Sequence, residues 1–337
     1  MAGRMQAALR TLAAALALSL GLVPAPGAAR DITQSVIVAS KSDTEGMLLG
    51  NIIGLLLERA GVPVEYRLAY GPTKRVREAL LADEIDIYPE YTGNAGYFHH
   101  VADDPVWKNP ASALAKAREL DASKQIVWLT PAPANNGWAI AVRREIVGAN
   151  KTPTLEDFSR WIAGGGKVRL AASAEFISSP AALPALEKAY GFSLAKSQVF
   201  IVSSGNTADT IRAAANGKYG INAAMVYGTD GAIASGGLTV LRDTKEVQPV
   251  YQPAPVVRAE LLEQYPSIPR LLTAAFETLT IETLQAINAQ IQVDGQDPRA
   301  VATNYLRSRR LLPVARSRQA SPAGTRPAAA DSAPAKP

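Results

Sequence analysis

The 337-residue sequence contains no cysteine. That excludes disulfides, thiolate metal sites and a lipid-modified cysteine at a cleavage point. Histidine is almost absent too, with only His99 and His100 present, and sequence neighbours in a regular element face different ways. This argues against a zinc site and against a Ser-His-Asp triad. No glycine-rich nucleotide motif occurs. Asp86, Glu90 and Asp230 leave a glycosidase-like carboxylate pair open, but nothing in their spacing marks two of them as partners. Aromatic residues are scarce, 6% of the chain, so their positions carry information.

The charge is also misleading at first sight. The formal net charge is +5, which suggests a nucleic-acid partner. Arg4 and Arg10 supply two of these charges near the N-terminus, however, and residues 313–337 supply three more. The remaining residues, 30–312, are neutral and offer no phosphate-binding footprint. No nucleic-acid partner is expected.

Both ends read as something other than fold. Residues 1–29 have a positive start, an apolar stretch over 12–23 and the small-residue run Gly27-Ala28-Ala29, the pattern of a cleaved secretory signal peptide. Residues 313–337 are Pro, Ala and Ser with scattered charge, which predicts a disordered tail. Together with the missing cysteine, these features predict a freely soluble protein of the periplasm.

Between the ends, strand and helix patterns alternate. Expected strands cover 35–40, 62–70 and 84–88. A Ser-x-x-Glu capping box, Ser42 to Glu45, opens the first helix, and Thr73 caps a second through Leu81. Pro89, lacking an N–H, ends the third strand, and Gly93 makes a tight turn after it. Further strands are expected at 137–143, 167–173, 197–204, 221–228 and 238–243, with helices over 180–190 and 207–215. An extended, proline-marked stretch covers 247–258, and 259–312 reads as mostly helical. The order predicts an α/β fold of two lobes with parallel-type sheets flanked by helices. Lobe I would comprise 30–137 plus 245–312 and lobe II 138–244, with a ligand cleft between them. In such sheets ligands bind beyond the carboxyl ends of strands.

Tyr88, Tyr91, Trp138, Tyr227 and Tyr251 stand next to expected strand ends. Taken singly, each reads as core or rim. Gathered at one cleft, they read as π-faces that attract a quaternary ammonium, roughly 0.5–2 kcal/mol per face. Tyr88 reads as packing.

The stretches "ASKSDTEGMLLGNI", "IDIYPEYTGN", "WLTPAPANNGW", "LAASAEF", "NAAMVYGTDG" and "VQPVYQPAPVVR" give the chain a family likeness. Over roughly 34–312 it resembles the substrate-binding proteins of osmoprotectant ABC importers, the glycine betaine/choline group, and within it the OsmF (YehZ) branch. The resemblance implies a type II periplasmic binding protein fold. It also implies an aromatic cage, carried over by position to Tyr91, Trp138, Tyr227 and Tyr251, with Trp138 where many relatives have tyrosine. Lys41, Asn94 and Ser179 fall at the positions that hold the solute's carboxylate. Asn94 replaces a common threonine and Gly46 a common glutamine. Ser179 replaces an arginine, which implies weaker betaine binding or a different preferred solute; it also reads as the cap of a helix starting at Pro180. The implied partners are a small quaternary amine and the membrane permease subunits of an importer. The protein is expected to be a monomer without cofactor or metal. Binding of choline or another zwitterion, and a periplasmic hydrolase or sensor for quaternary amines, are the competing readings.

Overall fold

The computed structural model describes residues 35–148, 152–203 and 206–313. The expected leader, 1–29, and all but the first residue of the expected tail, 313–337, lie outside the described residues.

Among the described residues, ten strands form two sheets. The first has the order β2-β1-β3-β10-β4, from β1 (Val36–Lys41), β2 (Val64–Gly71), β3 (Ile87–Tyr91), β4 (Ile126–Trp128) and β10 (Pro253–Arg258). The second has the order β7-β6-β8-β5-β9, from β5 (Trp138–Arg143), β6 (Leu170–Ala172), β7 (Val199–Ile201), β8 (Ala223–Tyr227) and β9 (Leu238–Val240). The chain passes to the second sheet after Trp128 and returns after Val240. The parallel expectation holds for β1 with β2 and β3, and for β6 with β7 and β8. It fails for β10 and β5, the strands that follow the two crossings, which run antiparallel to their neighbours.

Each sheet is covered on both faces, which explains the unbroken apolar strands. All six residues of β1 are buried. Val36 and Val38 join one core and Ile37 and Ala39 the other, as the two-residue repeat of a strand requires. Helix α1 (Thr44–Arg59) covers the first of these faces with Leu48, Leu49, Ile52, Ile53 and Leu56. Each such side chain stabilises the fold by roughly 1.5–3 kcal/mol. In the second sheet Ile140 and Val142 face one core and Ala141 the other. The C-terminal stretch is helical as expected, in four helices from Ala259–Gln264 to Pro298–Ser308.

Three local expectations are corrected. First, α1 is capped by Asp43, whose Oδ1 accepts from Gly46 N at 2.7 Å. The cap lies one residue later than the Ser42 box and leaves the Glu45 carboxylate free for other contacts. Second, α2 (Thr73–Leu81) begins at Thr73 but has Pro72 at its cap position and no side-chain cap bond. Third, the strand expected at 84–88 occupies Ile87–Tyr91 and runs through Pro89. Thr92 N donates to Gln252 O at 3.1 Å, so antiparallel alternation puts the facing pair Pro89 and Pro255 where no N–H is exchanged. On its other side β3 meets β1 only at Ile87, so the missing N–H of Pro89 costs no ladder bond there.

Candidate functional site

A cleft of about 700 Å³ lies where the ends of the two sheets meet, and Tyr91, Trp138, Tyr227 and Tyr251 all line it. Four separate segments bring these rings in. Tyr91 ends β3, opposite Pro253 of β10. Trp138 opens β5 and faces Tyr227, the last residue of β8. Tyr251 is held just before β10: its N–H donates to Asn135 Oδ1 at 2.8 Å and its carbonyl accepts from Asn136 N at 2.9 Å. Trp138 is braced edge-on by Phe176, with centroids 5.9 Å apart. Gly93 has ordinary helical angles rather than a special turn geometry. A side chain there is excluded because its Cβ would lie 2.7 Å from the Tyr251 ring.

Two of the polar residues expected at the carboxylate end, Lys41 and Asn94, contact an internal acid. Glu90 is fully buried, and its Oε1 accepts from Lys41 Nζ (2.5 Å), Asn94 Nδ2 (2.7 Å) and Tyr91 N (2.8 Å). Its Oε2 accepts from Tyr88 Oη at 3.0 Å, and Tyr88 itself is core. Lys41 and Asn94 therefore reach the cleft, but both are bonded to an internal carboxylate. The Lys41 ammonium also lies 4.4 Å from the centroid of the Tyr91 ring.

Ser179 is not among the residues lining the cleft. It follows the short helix Ala174–Ser178, and its N–H closes that helix by donating to Glu175 O at 2.8 Å. The helix expected from Pro180 starts only at Leu183, with Ala182 at its cap position and no side-chain cap bond. Ser179 thus caps the C-terminal end of one helix, not the start of the next. The three residues between it and Leu183 move the helix start away from it.

Sequence reasoning gave Glu45 only a capping role and did not place Asp230 in a binding cleft. Glu45 is 5% exposed; Oε1 accepts from Tyr91 Oη (2.9 Å) and Asn136 Nδ2 (3.0 Å), and Oε2 from Asn288 Nδ2 (2.7 Å). Burial pushes its carboxyl up to about 7, against the pull of bonds from Thr229, Asn288 and Tyr91. Asp230 accepts from Tyr227 N at 2.8 Å, and burial pushes it up to about 6. Burial, then the Glu45 charge, holds the Tyr91 phenol well above its ordinary value. Among the described residues lining the cleft, Lys41 is the only lysine or arginine, while Asp43, Glu45, Glu175 and Asp230 are acidic. Asn288 comes from the helix Ile281–Gln292, which crosses the end of β8 so closely that a Cβ on Gly231 would lie 2.1 Å from Ala289 N. No local pattern could have joined Asn288 to Glu45, 243 residues away.

The profile of the substrate-binding domain of ABC-type glycine betaine transport systems matches residues 34–308. The chain belongs to this family. Among its relatives is the glycine betaine-binding protein YehZ of Escherichia coli K12, 50% identical over 275 residues that cover 81% of this chain and 90% of the relative. A glycine-betaine-binding protein of Pseudomonas aeruginosa is 27% identical, covering 83% of this chain and 89% of the relative. The structure of apo YehZ from Escherichia coli has a TM-score of 0.76 at 48% identity, covering 83% of this chain and all of that one. Members of the family are substrate-binding parts of transport systems, and the fold is that of the type II periplasmic binding proteins. Among the described residues, no helix is long and apolar enough to cross a membrane.

Proposed function

We propose that this family member is the periplasmic solute-binding component of an ABC importer, and that it captures a quaternary amine of the glycine betaine class. One observation carries the reading: Tyr91, Trp138, Tyr227 and Tyr251, from four separate segments, line one cleft. A trimethylammonium has no N–H to satisfy, so aromatic faces replace its hydration at little cost and attract its charge. The two sheets serve as the centres of two lobes, 30–137 plus 245–312 and 138–244, that close on the solute. The leader directs export and is removed, and the loaded monomer docks on the permease subunits. The solute is delivered unchanged, with no catalysis.

Calorimetric titration with glycine betaine, choline and glycine tests this. Glycine betaine or choline binds and glycine does not. Equal binding of glycine means that no cage operates. A second reading, choline or another cation in place of a zwitterion, is favoured by the pairing of Lys41 with Glu90, which leaves no free lysine or arginine among the described residues lining the cleft for a carboxylate. The same titration separates the two.

A further inference from the structure

Glu45 is a carboxylate in an unusual position. It lines the cleft, is buried, and has no ion pair among the described residues. Its bonds come from four segments: β3 through Tyr91, the 129–137 crossing through Asn136, the turn after β8 through Thr229, and the helix Ile281–Gln292 through Asn288, which also donates to Thr229 O at 3.0 Å. The charged groups around it do not neutralise it. On its own helix end stands Asp43; after β8 stands Asp230; on the helix Ala174–Ser178 stands Glu175. Lys41 on β1 is held by Glu90 on β3.

The surroundings can nevertheless serve either protonation state. Asn136 donates to Glu45 through Nδ2, while its own Oδ1 is buried without a partner. Turning this amide over exchanges donor for acceptor, so a protonated Glu45 gains an acceptor without loss of another side-chain bond. The Tyr91 hydroxyl, on the ring that forms one wall, is oriented by the same carboxyl.

Resting on the reading of the cleft as a quaternary-amine site, we propose that Glu45 is a specificity-determining residue that senses the charge of the solute. Arrival of the cation converts the buried acid to the carboxylate, and the proton leaves to solvent buffer. A positive charge within a few ångströms favours the ionised form of a carboxyl, most strongly where water is scarce. The free protein enters this exchange poised, because burial holds Glu45 at about 7. Capture of a quaternary amine is thereby coupled to pH: acid competes with the cation for one carboxylate.

The test is calorimetric titration of the intact protein with choline and with glycine betaine, in phosphate and in Tris at matched pH. These buffers have different protonation heats. For whichever ligand binds, the heats differ by an amount that corresponds to about half a proton released near pH 7, and the Kd is about tenfold weaker near pH 6 than near pH 8. In Glu45→Gln most of the proton release near pH 7 is lost and the pH dependence of Kd falls to about twofold or less, the share open to Asp230 in the same cleft; in Asp230→Asn proton release persists. If Glu45→Gln does not fold, the wild-type buffer comparison together with Asp230→Asn decides. Binding with identical heats in the two buffers overturns the proposal. So does proton release that survives at its wild-type level in Glu45→Gln or disappears in Asp230→Asn. If no quaternary amine binds at all, the functional reading has failed and the proposal falls with it.

Discussion

Lys41 Nζ lies 2.5 Å from Glu90 Oε1, and the carboxylate of this pair is fully buried. The ammonium that family resemblance assigns to a solute carboxylate is thus already satisfied within the protein. Replacing one member of a buried pair strands the other, at a cost of roughly 3–5 kcal/mol. Glu90→Gln is expected to lower thermal stability by that order. Glycine betaine restores part of the loss because its carboxylate gives Lys41 a new partner, while choline, with no carboxylate, restores less. Melting curves of the variant with each ligand check this; equal rescue by both means that Lys41 does not meet the solute.

Trp138 and Tyr227 face each other across β5 and β8, with Tyr227 39% exposed in the cleft wall. Trp138→Ala is expected to weaken quaternary-amine binding by on the order of 1–3 kcal/mol, from lost cation–π attraction and lost contact area. Tyr91→Ala is expected to cost a similar amount and also to remove a donor from Glu45. Calorimetry on both folded variants checks this, and unchanged affinity in both places the solute elsewhere.

Gly93→Ala puts a methyl group 2.7 Å from the Tyr251 ring and 2.9 Å from Val250 O. Backbone cannot yield as a flexible side chain does, so a loss of roughly 1–3 kcal/mol in stability is expected. Affinity falls with it because the ring that moves is a cleft wall. Chemical denaturation with and without ligand measures both; a variant as stable as the parent would show that Tyr251 is free to shift.

Two buried carboxyls of the ligand-free protein should contribute to its stability with a pH dependence of uncommon direction. Glu45 is raised from 4.5 to about 7, and Asp230 from 3.8 to about 6, in both cases first by burial. A raised folded-state value means that the neutral form is favoured by folding. The stabilisation is complete below the unfolded values and is lost as pH rises through the folded ones, between about 4 and 7. For Glu45 the loss is on the order of 3 kcal/mol. Glu45→Gln, neutral throughout, should flatten this part of the curve. Thermal unfolding of the wild type and of Glu45→Gln across that window, without ligand, gives the answer, and two parallel curves would refute the assignment of Glu45 as a destabilised carboxylate.

Much of the architecture could be read from local pattern. The alternation of β-branched runs with helical periodicity marks both α/β halves, and every leucine and isoleucine of 48–57 is buried in α1. The four aromatics stand at or next to strand ends and line one cleft. Boundaries were less secure. Pro89 suggested the end of a strand, but β3 continues because the facing residue, Pro255, lies far along the chain and needs no N–H from it.

Charge pairing was not legible at all. Lys41 and Glu90 are 49 residues apart, and Glu45 and Asn288 are 243 apart. Hydrophobic periodicity follows from the geometry of one helix or strand, so the sequence by itself determined most of the elements and the aromatic positions, though the helices Pro110–Asp121 and Leu155–Ala163 and the strand β4 went unread. Which polar group satisfies which depends on where two crossings and a C-terminal helix place distant residues in a dry interior. There an unpaired charge costs far more than at the surface, and only the tertiary structure decides which partner it finds.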